Sequence, residues 1–305
     1  MSYTIVLEKY SGPASRFTCP ACHKPKKFTR YIDLLTKQYV NESVGICDRV
    51  DSCGYHYAPK EYYRDNDIRL SDTERLERVQ AAKTMIAPEP ELPSYIDYNK
   101  VIHTMDIDTP NSLERFIRSV YGDRVDAIID DYRLGSYQYW RECNPIYWQI
   151  DRAGNVRTGK VMRYNPKTGK RVKDGPALHW YHALHKVDGF NMVQCLYGEH
   201  LLSYYPNKVV GIVESEKTAL IASLEYDQLL WLATGGLSNI SISKMSVLSD
   251  RVVILFPDVG AYDRWSSKAD ELSSVIDHIS VSDLLEVSSS DKESGYDLAD
   301  YILRG

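Results

Sequence analysis

The sequence predicts an α/β chain: a C-terminal domain on a parallel sheet, preceded by a basic mixed α+β segment and a short N-terminal β-rich segment. Three observations carry this. From residue 208 onward, continuous apolar runs alternate with stretches of helical spacing, the pattern of a parallel sheet with crossover helices. Between residues 136 and 175, strand-like runs rich in cations are separated by turn residues. Residues 1–60 hold four of the six cysteines among aromatic and basic side chains. The expected parts are residues 1–62, a helical and Pro-rich linker at 63–93, the basic segment at 94–207 and the parallel-sheet domain at 208–305.

Taken in order, residues 28–32 and 39–44 alternate as strands do. Residues 71–85 have helical spacing, with Ser71, Asp72 and Thr73 as caps, and lead into the Pro-rich stretch 87–93. Residues 94–135 read as helical. The clearest element is 112–120, capped by Asn111. Residues 146–150 and 156–164 read as strands joined by a turn at 151–155, and 166–169 is a further turn. The runs 209–213, 229–233 and 251–256 are apolar throughout, as buried parallel strands are. Helices are expected at 216–226 and 262–275, a fourth strand within 279–287, and a last short helix at 298–303.

No apolar run reaches the roughly 18 residues a membrane span needs, and the N-terminus lacks a signal-peptide layout, so the chain reads as cytoplasmic. The net charge of −5 argues mildly against a nucleic-acid partner, but its distribution argues for one. Residues 1–60 carry nine Lys and Arg against five Asp and Glu, and residues 136–210 carry eleven against five. The stretches 61–135 and 211–305 reverse the balance, ten against sixteen and seven against sixteen. Basic blocks suit phosphates and acidic ones suit metal cations.

Cysteines in a reducing compartment point to metal before disulfides. Cys19 and Cys22 form a CxxC pair, followed by Cys47 and Cys53. Zn²⁺ takes four soft ligands in a tetrahedron, and strands between the two pairs would return the second to the first. His23 and His56 stand as alternatives to one cysteine; Cys143 and Cys195 lie alone and read as buried or free thiols. Such a site is structural first, since it lets about 60 residues fold around little core. Its functional reading is single-strand binding. Phe17, Phe28, Tyr31, Tyr39, Tyr55 and Tyr57 would stack on bases, and Lys24, Lys26, Lys27 and Arg30 would meet phosphates.

The acidic candidates stand at strand ends. Glu214 follows the first apolar run, Asp258 follows the third, and Asp297 follows the fourth strand region. Sites in parallel sheets lie at the carboxyl ends of strands. Carboxylates converging there suit Mg²⁺ or Mn²⁺, hard cations that prefer oxygen. Lys217 is placed to meet a phosphate, and Gly235 and Gly236 allow close backbone approach.

These motifs resemble a family. The run Val213-Glu214-Ser215-Glu216-Lys217-Thr218-Ala219 is similar to the opening of Toprim domains, and Thr234 to Ser238 to their glycine motif. Leu255-Phe256-Pro257-Asp258 resembles the strand that carries the Toprim aspartates, and Gly295-Tyr296-Asp297 the closing acidic motif of primases. The order of cysteine ribbon, basic β-rich segment and Toprim is that of DnaG-type primases, and the chain resembles their relatives in phages and mobile elements. The resemblance implies a Rossmann-like C-terminal sheet and a catalytic role for Glu214, Glu216, Lys217, Asp258 and Asp297. It implies that Lys160, Arg163, Lys167, Lys170, Arg171 and Lys173 bind template or nucleotide phosphates. One departure stands out. The family has Asp-x-Asp where this chain has Asp258-Val259-Gly260, with Asp263 as the nearest substitute. Ser215 also stands where the family often has glycine.

The resemblance thus implies a primase-like nucleotidyltransferase. It would use structural zinc and catalytic magnesium or manganese to make primers from nucleoside triphosphates on single-stranded DNA. A Toprim nuclease and a non-catalytic DNA-binding protein are the competing expectations. No GxxxxGK[ST] loop occurs, so any helicase or replication initiator would be a separate partner.

Overall fold

The structure, a computed structural model, describes residues 4–50, 52–84, 92–174, 178–288 and 296–304. Most of the Pro-rich stretch 87–93, and Gly295 of the closing motif, lie outside the described residues. The chain divides into two units, Met1–Glu91 and Leu92–Gly305.

The first unit is an antiparallel sheet of short strands with two helices. Its strands are β1 (Ile5–Leu7), β2 (Phe28–Asp33), β3 (Gln38–Tyr39), β4 (Gly45–Cys47) and β5 (His56–Tyr57). They pair in the order β1-β2-β4-β5, with β3 on β2. The strand expected at 39–44 is interrupted. The Asn41 side chain accepts from the Ser43 amide at 3.0 Å and its carbonyl accepts from the Val44 amide, a local turn that competes with extension. Helix α1 (Pro59–Asp65) follows the sheet, and helix α2 (Asp72–Thr84) opens on a reciprocal cap between Ser71 and Glu74.

The second unit opens with helices α3 (Asn99–Met105), α4 (Ser112–Tyr121) and α5 (Val125–Asp131). Asn111 caps α4 by accepting from the Glu114 amide at 2.9 Å. An antiparallel sheet follows, in the order β6 (Leu134–Tyr139), β7 (Glu142–Ile150), β8 (Val156–Met162) and β9 (Leu178–Trp180), with a short helix α6 (Tyr181–Leu184) after it. Strand β6 begins inside the stretch expected to be helical. Its alternation is short, and Gly135 packs against Thr104 and Ile146 where a side chain would collide.

The remainder alternates strand and helix: β10 (Val210–Val213), α7 (Glu216–Glu225), β11 (Leu230–Ala233), α8 (Ile242–Met245), β12 (Val252–Leu255), α9 (Tyr262–Leu272), β13 (His278–Val281), α10 (Leu284–Ser288) and α11 (Leu298–Arg304). The four strands form a parallel sheet in the order β11-β10-β12-β13. Strands β10 and β11 are buried at every position, which is why they read as unbroken apolar runs. One hydrophobic core joins this sheet to α4, β7 and β8 through Leu113, Tyr147, Met162, Leu196, Ile212 and Leu232. The basic segment is therefore packed onto the parallel sheet, and its charged loops face that sheet's carboxyl edge. Among the described residues no helix is long and apolar enough to cross a membrane.

Candidate functional site

The four predicted cysteines gather into one cluster. Cys19 and Cys22 lie in the loop before β2, Cys47 ends β4 and Cys53 lies in the turn before β5. The Cys19 and Cys53 Sγ atoms are 3.8 Å apart, those of Cys22 and Cys47 3.9 Å, and all four lie within 4.8 Å of one another. Tetrahedral zinc with bonds of about 2.3 Å separates its thiolates by about 3.8 Å, so the donor set fits zinc. The Lys24 amide draws the Cys22 pKa down to about 6, while burial pushes Cys47 up to about 12. A central dication is what allows four thiolates to coexist. Neither histidine is needed: His56 stacks on Tyr31 and lies 3.0 Å from its hydroxyl.

Around the ribbon, Lys24, Lys26 and Lys27 are exposed, as phosphate contacts must be. Arg30 is half-buried, with its guanidinium 3.9 Å above the Phe17 ring. Phe28 is fully buried against Cys19 and Cys47. This corrects the expectation that it stacks on bases: the small ribbon uses it as core.

In the second unit, Glu214 leaves β10 and Asp258 leaves β12, on neighbouring strands and at the same edge. The Val259 amide donates to the Tyr296 carbonyl at 2.9 Å, which brings Asp297 beside Asp258. The Asp297 Oδ2 accepts from Thr218 Oγ1 at 2.9 Å and lies 3.9 Å from Lys217 Nζ. Its Oδ1 accepts from the Asp300 amide at 2.8 Å and so caps α11. Asp258 is half-buried. Burial, together with the charges of Asp297, Glu214 and Asp300, pushes its pKa up to about 8 against the opposing pull of Lys217. These carboxylates therefore sense one another. They are not drawn into a closed cage, since among the described residues only the cysteines bring three or more ligand atoms within 4.8 Å. Oxygen donors of this kind suit Mg²⁺ or Mn²⁺, which retain water in part of their shell.

Glycine stands where the resemblance led to the expectation of a second aspartate. Gly260 has φ +78°, a left-handed conformation that glycine adopts freely, and its amide donates to Glu286 Oε1 at 2.7 Å. Asp263 is exposed on the first turn of α9 and is not among the leading influences on Asp258. Ser215 is the cap of α7, accepting from the Thr218 amide.

Two predicted residues have different partners from those expected. Lys160 is buried, and its ammonium donates to both carboxylate oxygens of Glu216 at 2.9 Å. It is therefore no surface phosphate contact, and Glu216 is a neutralised neighbour of the acidic edge. Gly235, φ +77°, passes so close that a Cβ would stand 3.3 Å from Glu216 Oε1. Three of the other expected cations line an open cleft of about 820 Å³. Lys170, Arg171 and Lys173 form one wall, and Lys217, Asp297, Asp300 and Arg304 the other. Arg171 and Lys217 also line a smaller cavity of about 220 Å³ with Glu214, Glu216 and Asp297. Lys167 is exposed beyond the cleft, and Arg163 is tied to Glu142 and to the Asp174 carbonyl.

Sequence reasoning missed Asp300, Arg304, Glu286 and Lys244. The last sends its ammonium toward Gln194 and the Thr234 carbonyl, and burial lowers its pKa. A capping pattern three residues after Asp297 could have flagged Asp300; the others have no local signal.

Residues 3–68 match a family described as a zinc beta-ribbon finger. Residues 111–259 match one described as "Domain of unknown function (DUF6371)". No curated protein matches. Among solved structures, the primase fragment of the bacteriophage T7 primase-helicase protein is similar at 13% identity and a TM-score of 0.41, over 98% of this chain and 96% of that one. The Aquifex aeolicus primase, comprising zinc-binding and RNA polymerase domains, is similar at 13% identity and a TM-score of 0.40, over 98% and 77%. The DnaG primase catalytic domain bound to ssDNA is similar at 12% identity and a TM-score of 0.43, over 68% and 72%.

Proposed function

We propose that the second unit holds a primase-type nucleotidyltransferase centre of Toprim character, acting on a single-stranded DNA template. The observation that carries this is a juxtaposition. Glu214 and Asp258 leave neighbouring strands at one edge of a parallel sheet, with Asp297 beside them; Asp297 lines a cleft with Lys170, Arg171, Lys173, Lys217 and Arg304, and Glu214 lines a smaller cavity with Arg171, Lys217 and Asp297. A cation site and a polyphosphate site thus adjoin.

Glu214, Asp258 and Asp297 would hold Mg²⁺ or Mn²⁺, which supplies charge neutralisation at the phosphate under attack. The protein's own part is positioning. Lys170, Arg171, Lys173 and Arg304 attract the triphosphate and the template backbone, and Lys217, beside Asp297, reaches the phosphate nearest the acids. No side chain need act as nucleophile, because a 3′-hydroxyl does, and rate comes from orientation and preset charge. The buried Lys160–Glu216 pair fixes the start of α7 without adding net charge to the centre. In the first unit, the exposed Lys24, Lys26 and Lys27 of the zinc ribbon would hold the same single strand.

The test is template-dependent incorporation of labelled nucleotides on single-stranded DNA with Mg²⁺ or Mn²⁺. Incorporation by the parent and its loss in Glu214→Gln is the expected result. Incorporation unchanged by that substitution refutes the assignment. Cleavage of DNA with metal and without nucleotides would favour a nuclease instead. A second reading, a DNA-binding protein without catalysis, is favoured by Gly260, whose left-handed backbone stands where the family carries its second aspartate. It predicts no Mg²⁺ or Mn²⁺ binding at Asp258 by titration.

A further inference from the structure

The tip of the β6–β7 hairpin is built against backbone preference. Tyr139 pairs with Glu142, so Trp140 and Arg141 alone form the loop, and both have positive φ, 54° and 61°. A two-residue loop of this kind favours Asn-Gly, and bulky side chains are strained there. Here an indole and a guanidinium occupy it. Nothing in the hairpin's own hydrogen bonding requires those two residues.

Their surroundings point to what does. The Trp140 ring meets Tyr139 edge-on at 4.6 Å and His179 at 5.2 Å, and Tyr139 meets His179 edge-on at 5.2 Å. The Arg163 guanidinium lies 5.5 Å over the indole. All three rings keep exposed surface, and Arg141 is exposed. Arg163 also donates to the Asp174 carbonyl at 3.3 Å, and Asp174 lines the cleft that runs to Asp297. The aromatic tip and the acidic edge are therefore joined along one surface.

We propose that this tip is a base-stacking platform for a single strand of nucleic acid. Bases stack on Trp140, Tyr139 and His179, while the exposed Arg141 meets the backbone and Arg163 backs the indole. Rings alone would suit an apolar peptide, and cations alone a duplex. Rings interleaved with guanidinium groups in one row suit unpaired bases, whose faces stack and whose phosphates pair. The inference rests on the reading that the adjoining cleft handles nucleic acid, and carries it from phosphates to bases.

The test uses the full chain with labelled oligothymidylate, without added nucleotide or Mg²⁺. Replacing the loop by its preferred residues, Trp140→Asn with Arg141→Gly, relieves the backbone. The expected result is an affinity lowered by about fivefold or more, the lower range for one lost stacked base, at an unchanged or higher melting temperature. Affinity within about twofold of the parent overturns the proposal. A second measurement needs no variant. Photocrosslinking of an iodouracil-bearing strand to the parent should label Tyr139, Trp140 or His179, and crosslinks confined to other regions overturn it. Binding without any nucleotide incorporation would defeat the polymerase reading and leave the platform standing. Incorporation with no role for the tip would do the reverse.

Discussion

Replacing Lys160 by methionine isolates the energetics of the buried pair that replaced an expected phosphate contact. The ammonium is 2.9 Å from both Glu216 oxygens, and the two side chains are 8% and 2% exposed. At that distance and an effective dielectric of about 20, the attraction is at most about 6 kcal/mol. The relevant cost is that of the carboxylate left behind in a dry site, about 3–5 kcal/mol when one partner of such a pair is removed. For a unit of this size each kcal/mol moves the melting temperature by roughly 2–4 °C, so Lys160→Met should lower it by roughly 10 °C. Adding Glu216→Leu removes the orphaned charge and should restore stability to within about 1 kcal/mol of the parent, or exceed it. Urea denaturation followed by circular dichroism measures all members of the cycle. A single variant that loses less than about 1 kcal/mol, or a double variant no more stable than the single, refutes the reasoning.

Three further outcomes follow from the same geometry. The purified protein should carry one zinc per cysteine cluster; chelation or Cys47→Ser should raise amide exchange across β2, β4 and β5, and an unchanged exchange pattern would count against a structural metal. Asp258, with its pKa raised to about 8 in the folded chain from 3.8, disfavours the metal-free fold once ionised. That penalty is absent below about pH 4, grows as pH rises and is complete above about pH 8. Asp258→Asn should therefore raise the metal-free melting temperature at alkaline pH and leave it unchanged near pH 4, while abolishing stabilisation by Mg²⁺. A pH-independent effect would contradict the raised pKa. Gly260→Ala should cost about 1–2 kcal/mol through its left-handed φ, since a Cβ there meets open space and no clash; a neutral substitution in thermal melts would show that the turn relaxes.

The parallel sheet was legible because β10 and β11 are buried at every position. Runs such as 209–213 and 229–233 cannot be half-exposed strands, and the observed β10 and β11 differ from them only by a residue at the start. The cysteine spacing was legible for a similar reason, as two knuckles and a strand pair leave few ways to close a tetrahedron. Elsewhere local signals were weaker than their context. Residues 39–44 alternate like a strand, but Asn41 offers the backbone a nearer partner. Lys160 looked like a surface cation because nothing local marks an inward lysine; its partner is 56 positions away. The acidic edge was read from strand ends, whereas Asp300 and Arg304 join it only because α11 folds back beside the cleft.

That return of the last helix has a consequence of its own. Asp297 divides its two oxygens between different tasks: Oδ1 fastens the first turn of α11, and Oδ2 holds Thr218 on α7. A cation that recruits Oδ2 competes with Thr218 for that oxygen, and α11 carries Arg304 into the cleft wall. Helix α11 is thereby coupled to Asp297, one of the carboxylates proposed to hold metal. Its amide protection should report occupancy of the acidic edge even in a variant too slow to make product.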